Sequence, residues 1–155
     1  MSADAVLEAA KARSVMIATA ESCTGGMVAA SLTDIAGSSA VVERGFVTYS
    51  NDAKIELLGV SAATLDQHGA VSEEVAREMA DGALRHARAG LAVSITGIAG
   101  PGGSEFKPEG RVCFGLARTD HPTETETVEF GAQGRSQVRR LARDHALHLL
   151  LRALT

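Results

Sequence analysis

A serine at the junction between a strand-like run and a predicted helix is the first feature that could do chemistry. Ser22 lies in Ala-Glu-Ser-Cys-Thr-Gly-Gly, residues 20–26. At such a junction, unpaired backbone N–H groups and the positive end of the helix dipole can stabilise an alkoxide, an oxyanion or a phosphate. The pattern favours a nucleophilic serine, with simple helix capping by Ser22 or Thr24 as the alternative. Cys23 is a rival nucleophile, although an inert buried thiol is its more usual role.

A lysine follows a second strand-like run. Lys54 lies one turn into a predicted helix, five residues after the only tyrosine, Tyr49. As a general base, Lys54 would need its pKa lowered by burial or by a neighbouring positive charge. The alternative is an ordinary solvated surface charge. Tyr49 could offer its hydroxyl or its ring to a ligand, or belong to the core.

The third feature is a glycine-rich loop that begins at Thr96 and Gly97. Five of the seven residues from Gly97 to Gly103 are Gly or Pro, and Gly100 and Gly102 are among them. Exposed amides in such a loop can hold a phosphate or a carboxylate, whereas a plain tight turn is the alternative. No Gly-Lys-Ser/Thr follows, and no helix opens on a Gly-x-Gly-x-x-Gly run, so neither standard nucleotide motif is present.

Arg135 is the remaining candidate ligand-binding residue. It precedes the last predicted helix, where a guanidinium could bind a phosphate or a carboxylate through two hydrogen bonds. It could equally be one of several solvated charges with Arg139, Arg140 and Arg143. The five histidines are scattered and the two cysteines are too few for a zinc site, so we expect no metal and no cofactor.

The elements that must position these residues follow from the hydrophobic pattern. Strands are predicted at residues 14–20, 43–50, 91–97, 111–118 and 125–130, the last two as a hairpin. Helices are predicted at 4–13, 27–37, 52–59, 61–70, 72–90 and 136–154, with Asn51 and Ser72 as N-caps. This order predicts an α/β fold, a three-layer α/β/α sandwich around a mixed, mostly parallel sheet, formed by residues 1–155 as one domain. Ligands bind beyond the carboxyl ends of parallel strands, so all three loops could share one site.

Composition narrows the possible partners. The 155 residues carry a net charge of −4, and only 3% are aromatic. The acidic balance and the scarcity of aromatic rings argue against nucleic-acid binding. No apolar run reaches the roughly 18 residues of a membrane span, and the N-terminus lacks the pattern of a signal peptide. We therefore expect a cytoplasmic protein that binds neither membrane nor nucleic acid.

Several segments in order resemble the C-terminal domain of the competence- and damage-inducible family CinA. They are TAESCTGG, TYSNDAKIELLGV, GAVSEEVAREMA and SITGIAGPGG with KPEGRVCFG. The resemblance covers nearly the whole chain. It implies the layered α/β/α fold and, as in the stand-alone members of the family, hydrolysis of the carboxamide of nicotinamide mononucleotide. The products would be nicotinate mononucleotide and ammonia, in pyridine nucleotide (NAD) recycling.

The resemblance also implies roles for individual residues. Ser22 would be the nucleophile and Lys54 its base, in an acyl transfer that needs no metal. Backbone amides near Cys23 and Thr24 would hold the oxyanion. The expected substrate-binding residues are Tyr49, Thr24, Gly25, Gly26, Thr96, Gly97, Gly100, Gly102, Gly103 and Arg135. The family often has an acidic residue before its late arginine, where this chain has Gly134.

Three other functions stay open at this stage. They are a non-catalytic nucleotide-binding module, an interaction partner in competence or DNA damage, and an amidase for another small amide. A homodimer is also expected, because the family commonly associates. The last helix would then offer spare apolar surface through Leu147, Leu150 and Leu151.

Overall fold

Five strands form one sheet in the computed structural model, which describes residues 3–104 and 106–155. The strands are β1 (Ile17–Glu21), β2 (Val42–Val47), β3 (Leu91–Gly97), β4 (Arg111–Arg118) and β5 (Glu124–Glu129). The helices are α1 (Ala3–Arg13), α2 (Met27–Thr33), α3 (Asn51–Leu58), α4 (Ala62–His68), α5 (Glu73–His86) and α6 (Arg135–Leu154). A short 3-10 turn at Ser38–Ala40 precedes β2.

The sheet order is β2-β1-β3-β4-β5. The first three strands in this order are parallel, and β4 is antiparallel to both β3 and β5. Four of the five strands therefore run in one direction. Residues of α1, α2 and α6 share one core cluster, and residues of α3, α4 and α5 share another on the opposite face. The predicted α/β/α sandwich with a mixed, mostly parallel sheet is confirmed.

The alternating residues of β1 explain how one strand serves both layers. Ile17 belongs to the core beneath α1, α2 and α6, whereas Ala18 and Ala20 belong to the core beneath α3, α4 and α5. Neighbouring side chains on a strand point to opposite faces of the sheet. The strand is buried on both sides, as expected for the interior of a doubly covered parallel sheet.

Capping side chains set where the helices on the second face begin. The Ser50 hydroxyl accepts a hydrogen bond from the Ala53 amide, so Ser50 caps α3 and Asn51 is already its first helical residue. The prediction of Asn51 as the cap was therefore wrong by one position. Ser72 caps α5 as predicted, through the Val75 amide.

Several predicted boundaries extend beyond the observed elements. The predicted helix 72–90 ends at His86, because Ala87 already has an extended backbone, with φ −113° and ψ 161°. The predicted strand 14–20 begins only at Ile17, since Ser14 has a left-handed φ of 53°. The helix predicted to reach Gly37 ends at Thr33. In each case, residues that the hydrophobic pattern assigned to a helix or strand belong instead to the turn beside it.

The apolar face of α6 is largely used inside the molecule. Leu147 and Leu150 are 2% and 0% exposed, and the partly buried Leu151 packs against the same core. The prediction that these leucines provide spare surface for a dimer was wrong. The physical reason is that α6 packs against both the sheet and α1, which buries more than one narrow stripe of the helix. Among the helices described, none has the length and apolar character needed to cross a membrane.

Candidate active site

The three predicted loops meet at one edge of the sheet, beyond the carboxyl ends of β1, β2 and β3. They surround a cavity of about 320 Å³. Of the predicted site residues, the cavity wall includes Ser22, Tyr49, Lys54, Thr96, Gly97, Gly100, Gly102, Gly103 and Arg135. The wall also includes Asn51 and the segment Ala70–Val71 between α4 and α5, which the sequence analysis did not assign to the site.

Ser22 and Lys54 are in direct contact at the base of the cavity. Lys54 Nζ lies 2.9 Å from Ser22 Oγ. It also donates to the backbone carbonyls of Thr48 at 3.0 Å and Tyr49 at 3.3 Å. Lys54 is only 1% exposed, which excludes the solvated surface charge considered from sequence.

The backbone around Ser22 is fixed by the sheet. The Ser22 amide donates to the Ile95 carbonyl at 2.9 Å, which extends the pairing of β1 with β3 by one residue. The Thr48 amide donates to the Glu21 carbonyl at 2.8 Å and extends the pairing of β1 with β2 in the same way. The serine is therefore held by both neighbouring strands at the place where β1 ends.

A buried carboxylate, not Ser22 or Thr24, caps α2. Glu21 is fully buried, and its two oxygens accept hydrogen bonds from the amides of Gly26, Val28 and Ala29 at 3.3, 2.9 and 3.0 Å. A carboxylate at a helix N-terminus satisfies the free amides and interacts favourably with the helix dipole. The α2 terminus is thus occupied by the chain itself, which rules out the alternative considered from sequence, capping by Ser22 or Thr24.

Two amides in the serine loop stay uncommitted. From Ser22 to Ala29, each amide donates to a carbonyl or to Glu21, with the exception of Cys23 and Thr24. Within the described part of the chain, neither of these two amides has a hydrogen-bond acceptor on another residue. Cys23 lines the cavity, whereas Thr24 is fully buried outside its wall, so the Cys23 amide is the one of the two that could bind a negatively charged oxygen there.

Thr24, Gly25 and Gly26 are not part of the cavity wall. Gly25 and Gly26 adopt left-handed φ angles of 59° and 107°, which make the turn from Ser22 into α2. The Thr24 hydroxyl is completely buried and, among the described residues, it makes no hydrogen bond. The geometry gives these three residues a part in shaping the serine loop and brings none of them to the cavity.

Arg135 and Tyr49 are in contact in the cavity wall. Arg135 Nη2 donates to the Tyr49 hydroxyl at 2.7 Å, and Nη1 donates to the Gly100 carbonyl at 2.6 Å. Thr96 takes no part in this contact, and its hydroxyl donates to the Ala70 carbonyl at 2.8 Å. Arg135 is the first residue of α6, and its two hydrogen bonds distinguish it from a simple solvated charge on that helix.

Comparison with models of known protein families gives one match over nearly the whole chain. The model for the CinA C-terminal domain matches residues 1–154. The chain belongs to the CinA C-terminal domain family. This confirms the resemblance seen in the sequence.

Curated relatives of the family fall into two lengths. The nicotinamide-nucleotide amidohydrolase PncC of Escherichia coli K12 is 58% identical over 144 residues, covering 92% of this chain and 87% of that protein. A CinA-like protein of Mycobacterium sp. strain MCS is also 58% identical, over 139 residues, but this chain spans only 33% of its length.

Solved structures in the family have the same fold. The competence/damage-inducible protein CihA of Agrobacterium tumefaciens is 47% identical with a TM-score of 0.94, covering 98% of this chain and 92% of that one. The competence damage-inducible protein A of Klebsiella pneumoniae is 40% identical with a TM-score of 0.94, covering 98% and 94%.

Glu109 is a residue of this family member that the sequence analysis missed. Its carboxylate accepts from the Gly102 amide at 2.7 Å and from the Gly134 amide at 3.0 Å. It therefore joins the glycine-rich loop to the start of α6. A Cβ at Gly100 would lie 2.6 Å from this carboxylate, which explains the glycine there. The only indication of this role in the sequence is an acidic residue six positions after Gly103, where the glycine-rich run ends.

Cys23 does not have the properties of a nucleophile. Burial raises the pKa of its thiol from 9.0 to about 12. A thiol needs to ionise to react, so Cys23 stays protonated and inert at neutral pH. This favours Ser22 over its neighbour as the reactive side chain.

The Cys23 thiol should also make stability depend on alkaline pH. Because its pKa is raised in the folded state, the fold keeps a proton that the unfolded chain releases above about pH 9. The contribution of this thiol to the free energy of unfolding is fully present below about pH 9. It falls between about pH 9 and 12, by up to about 1.4 kcal/mol per pH unit. Urea unfolding at about pH 8 and about pH 10.5 should show a larger decrease in the free energy of unfolding for wild type than for Cys23→Ala. Equal losses in the two proteins would contradict this assignment.

Proposed function

We propose that this chain hydrolyses the carboxamide of nicotinamide mononucleotide to nicotinate mononucleotide and ammonia. The observation that carries the proposal is the 2.9 Å contact between Ser22 Oγ and the buried Lys54 Nζ at the base of the cavity. The 58% identity to an amidohydrolase for nicotinamide nucleotides supports this choice of substrate.

The hydrogen bonds of Lys54 suit a neutral amine. A neutral amine has two N–H groups and one lone pair. Two carbonyls, those of Thr48 and Tyr49, can accept the two N–H groups. The lone pair then faces Ser22 Oγ and can accept its proton. The neutral amine is the form that a general base needs.

Acylation begins when Ser22 Oγ attacks the carboxamide carbon and its proton passes to Lys54 Nζ. The carbonyl oxygen becomes an oxyanion, and the amide of Cys23 is its proposed donor. As the C–N bond breaks, the Lys54 ammonium donates a proton to the leaving NH2 group, which departs as ammonia. The acyl group is now an ester of Ser22.

Deacylation uses the same two side chains, with water in place of Ser22 as the nucleophile. A water molecule attacks the ester carbon and gives a proton to neutral Lys54, and the same amide again holds the oxyanion. The bond to Ser22 Oγ then breaks, and Oγ recovers a proton from Lys54. The released product is a carboxylic acid, and both side chains return to their initial states.

The part of the cavity wall around Arg135 suits an anionic group. Arg135 supplies a guanidinium, and it lies beside the glycine-rich loop because it donates to the Gly100 carbonyl. A guanidinium can bind phosphate through two parallel hydrogen bonds. We assign the 5′-phosphate to this wall, with Tyr49 beside it. The homodimer and the cytoplasmic location stay predictions of the sequence, and size-exclusion chromatography with light scattering would test the first.

Ammonia release from nicotinamide mononucleotide tests the proposed function. We expect one ammonia for each nicotinate mononucleotide formed, and much slower release from free nicotinamide, which cannot use the phosphate wall. Nicotinate mononucleotide, which has no amide, is the blank. Thermal stabilisation by the mononucleotide without ammonia would overturn the proposal in favour of a nucleotide-binding module. Release only from another amide in a substrate panel would replace the substrate.

A further inference from the structure

We infer that Glu109, which is outside the cavity wall, positions Arg135 and the glycine-rich loop for the phosphate of the substrate. This inference rests on the proposed function, since it concerns the part of the wall to which we assign the 5′-phosphate. Its basis is the pair of hydrogen bonds by which the Glu109 carboxylate joins Gly102 to Gly134.

Arg135 is the positively charged group beside the glycine-rich loop, and a ligand in the cavity can reach it. Its side chain is exposed and lines the cavity. Two of its five N–H groups donate to neutral acceptors, the Gly100 carbonyl and the Tyr49 hydroxyl. Among the described residues, no carboxylate forms an ion pair with this guanidinium. Its charge and its other N–H groups are therefore available to a phosphate.

The position of Arg135 depends on where two segments of the chain meet. One is the glycine-rich loop, which supplies the Gly100 carbonyl that Arg135 binds. The other is the first turn of α6, to which Arg135 itself belongs. The Glu109 carboxylate accepts from the Gly102 amide, two residues after Gly100, at 2.7 Å. It also accepts from the Gly134 amide, directly before Arg135, at 3.0 Å. One carboxylate therefore fixes the backbone on both sides of the contact between Arg135 and Gly100.

The backbone next to Glu109 is held by the same part of the structure. The Gly110 amide donates to the Ile98 carbonyl at 2.8 Å, and the Gly110 carbonyl accepts from the Phe130 amide at 2.8 Å. A Cβ on Gly110 would lie 2.0 Å from the Gly131 carbonyl oxygen, so the packing there leaves no room for a side chain. Because its own backbone is anchored, Glu109 can hold the loop and α6 at a defined separation.

The α6 helix has no cap from its own residues. Gly134 is its N-cap residue and makes no side-chain cap hydrogen bond. In a capping box, the third helical residue accepts from the amide of the N-cap residue. That position is Gln137 in α6, and its side-chain oxygen accepts from Arg140 instead. Glu109 thus takes this role from a distant segment, which ties the start of α6 to the glycine-rich loop.

This arrangement should act on binding more than on chemistry. The reacting groups, Ser22 and Lys54, lie at the base of the cavity, whereas Glu109 is outside its wall. When the guanidinium and the loop are already in place, the substrate does not have to order them as it binds. Loss of this order should raise KM for a phosphorylated substrate and leave kcat nearly unchanged.

The charge of Glu109 makes the direction of the effect informative. Removing a negative charge near an anion site by itself strengthens the binding of an anion. Removing a hydrogen bond that positions the site weakens it. Glu109→Gln does both, because glutamine is neutral and has one acceptor oxygen in place of two. Weaker binding by this variant therefore separates positioning from simple electrostatics.

The test compares Glu109→Gln with Glu124→Gln, the same change at an exposed glutamate of β5 outside the cavity wall. We expect KM for the mononucleotide to rise about 5- to 30-fold in Glu109→Gln, with kcat changed less than about twofold. KM for nicotinamide riboside, which lacks the phosphate, should change less than about twofold. Glu124→Gln should match wild type with both substrates.

Ligand binding separates this inference from the proposed function. Calorimetric titration with ribose 5-phosphate and with ribose measures the phosphate site without any amide chemistry. Wild type should bind the phosphorylated sugar more tightly, and Glu109→Gln should weaken that binding about 5- to 30-fold. If this pattern appears while wild type releases no ammonia from the mononucleotide, only the proposed substrate is overturned.

Other outcomes would overturn the role of Glu109. They are unchanged or tighter binding of ribose 5-phosphate by folded Glu109→Gln, an effect confined to kcat, an equal rise of KM for the riboside, an equal loss in Glu124→Gln, or a wild type that binds ribose as tightly as ribose 5-phosphate. If Glu109→Gln does not fold, Glu109→Asp replaces it, because aspartate keeps the charge but is one methylene shorter and reaches at most one of the two amides. Its KM for the mononucleotide should rise about threefold or more, and wild-type KM would overturn the inference.

Discussion

Ser22→Ala is expected to lower ammonia release from nicotinamide mononucleotide at least about a thousandfold while the protein stays folded. The variant removes the proposed attacking atom and leaves Cys23 protonated beside it. Lys54 keeps its two carbonyl partners. The fold should change little, because the change deletes one oxygen and the Ser22 amide still donates to Ile95.

Kinetics and trapping together would check this expectation. Steady-state ammonia release gives the loss of turnover, and circular dichroism with a thermal melt gives the fold. Quenched wild type should carry the acyl group on the peptide containing Ser22, as seen by mass spectrometry, and Ser22→Ala should not. Ser39→Ala, at an exposed serine before β2, is the matched control and should be fully active. Turnover of Ser22→Ala within tenfold of wild type would exclude Ser22 as the nucleophile.

Lys54→Met is expected to have an effect of similar size, on the order of a thousandfold in kcat, for a different reason. Methionine fills the space of the lysine stem but cannot accept the Ser22 proton. The variant also leaves the carbonyls of Thr48 and Tyr49 without this donor. Losing buried partners costs about 1–3 kcal/mol, so a lower free energy of unfolding should accompany the lost activity.

Urea unfolding and turnover should be measured on the same preparation, well below the melting temperature of the variant. Lys11→Met, at an exposed lysine of α1, should match wild type in both measurements. A stable Lys54→Met protein with kcat near wild type would show that Lys54 is structural only. The 2.9 Å contact with Ser22 would then have no part in proton transfer.

Local patterns in the chain were enough to predict the architecture. The buried strands 91–97 and 111–118 have the predicted bounds, because continuous apolar runs bordered by polar turns define a strand in a doubly covered sheet. Val75, Met79 and Ala83 recur at helical spacing and all face the core, as predicted. Boundaries were less predictable, since the backbone conformation of a single residue, such as the extended Ala87 after α5, can end an element early.

The candidate site shows the same contrast between what local patterns predict and what distant contacts decide. The sequence by itself determined that Ser22, Lys54 and the glycine-rich loop each follow a strand, and parallel strands bring such loops to one edge. Only the tertiary structure decided that Glu21 caps α2, that Glu109 ties Gly102 to Gly134, and that Arg139 donates to the Cys23 carbonyl of the serine loop. These contacts join residues whose identities are ordinary in their own segments. Whether a charged side chain caps a helix, links two loops or acts as a base depends on which distant backbone groups surround it. The periodicity of the sequence carries no information about those distant groups.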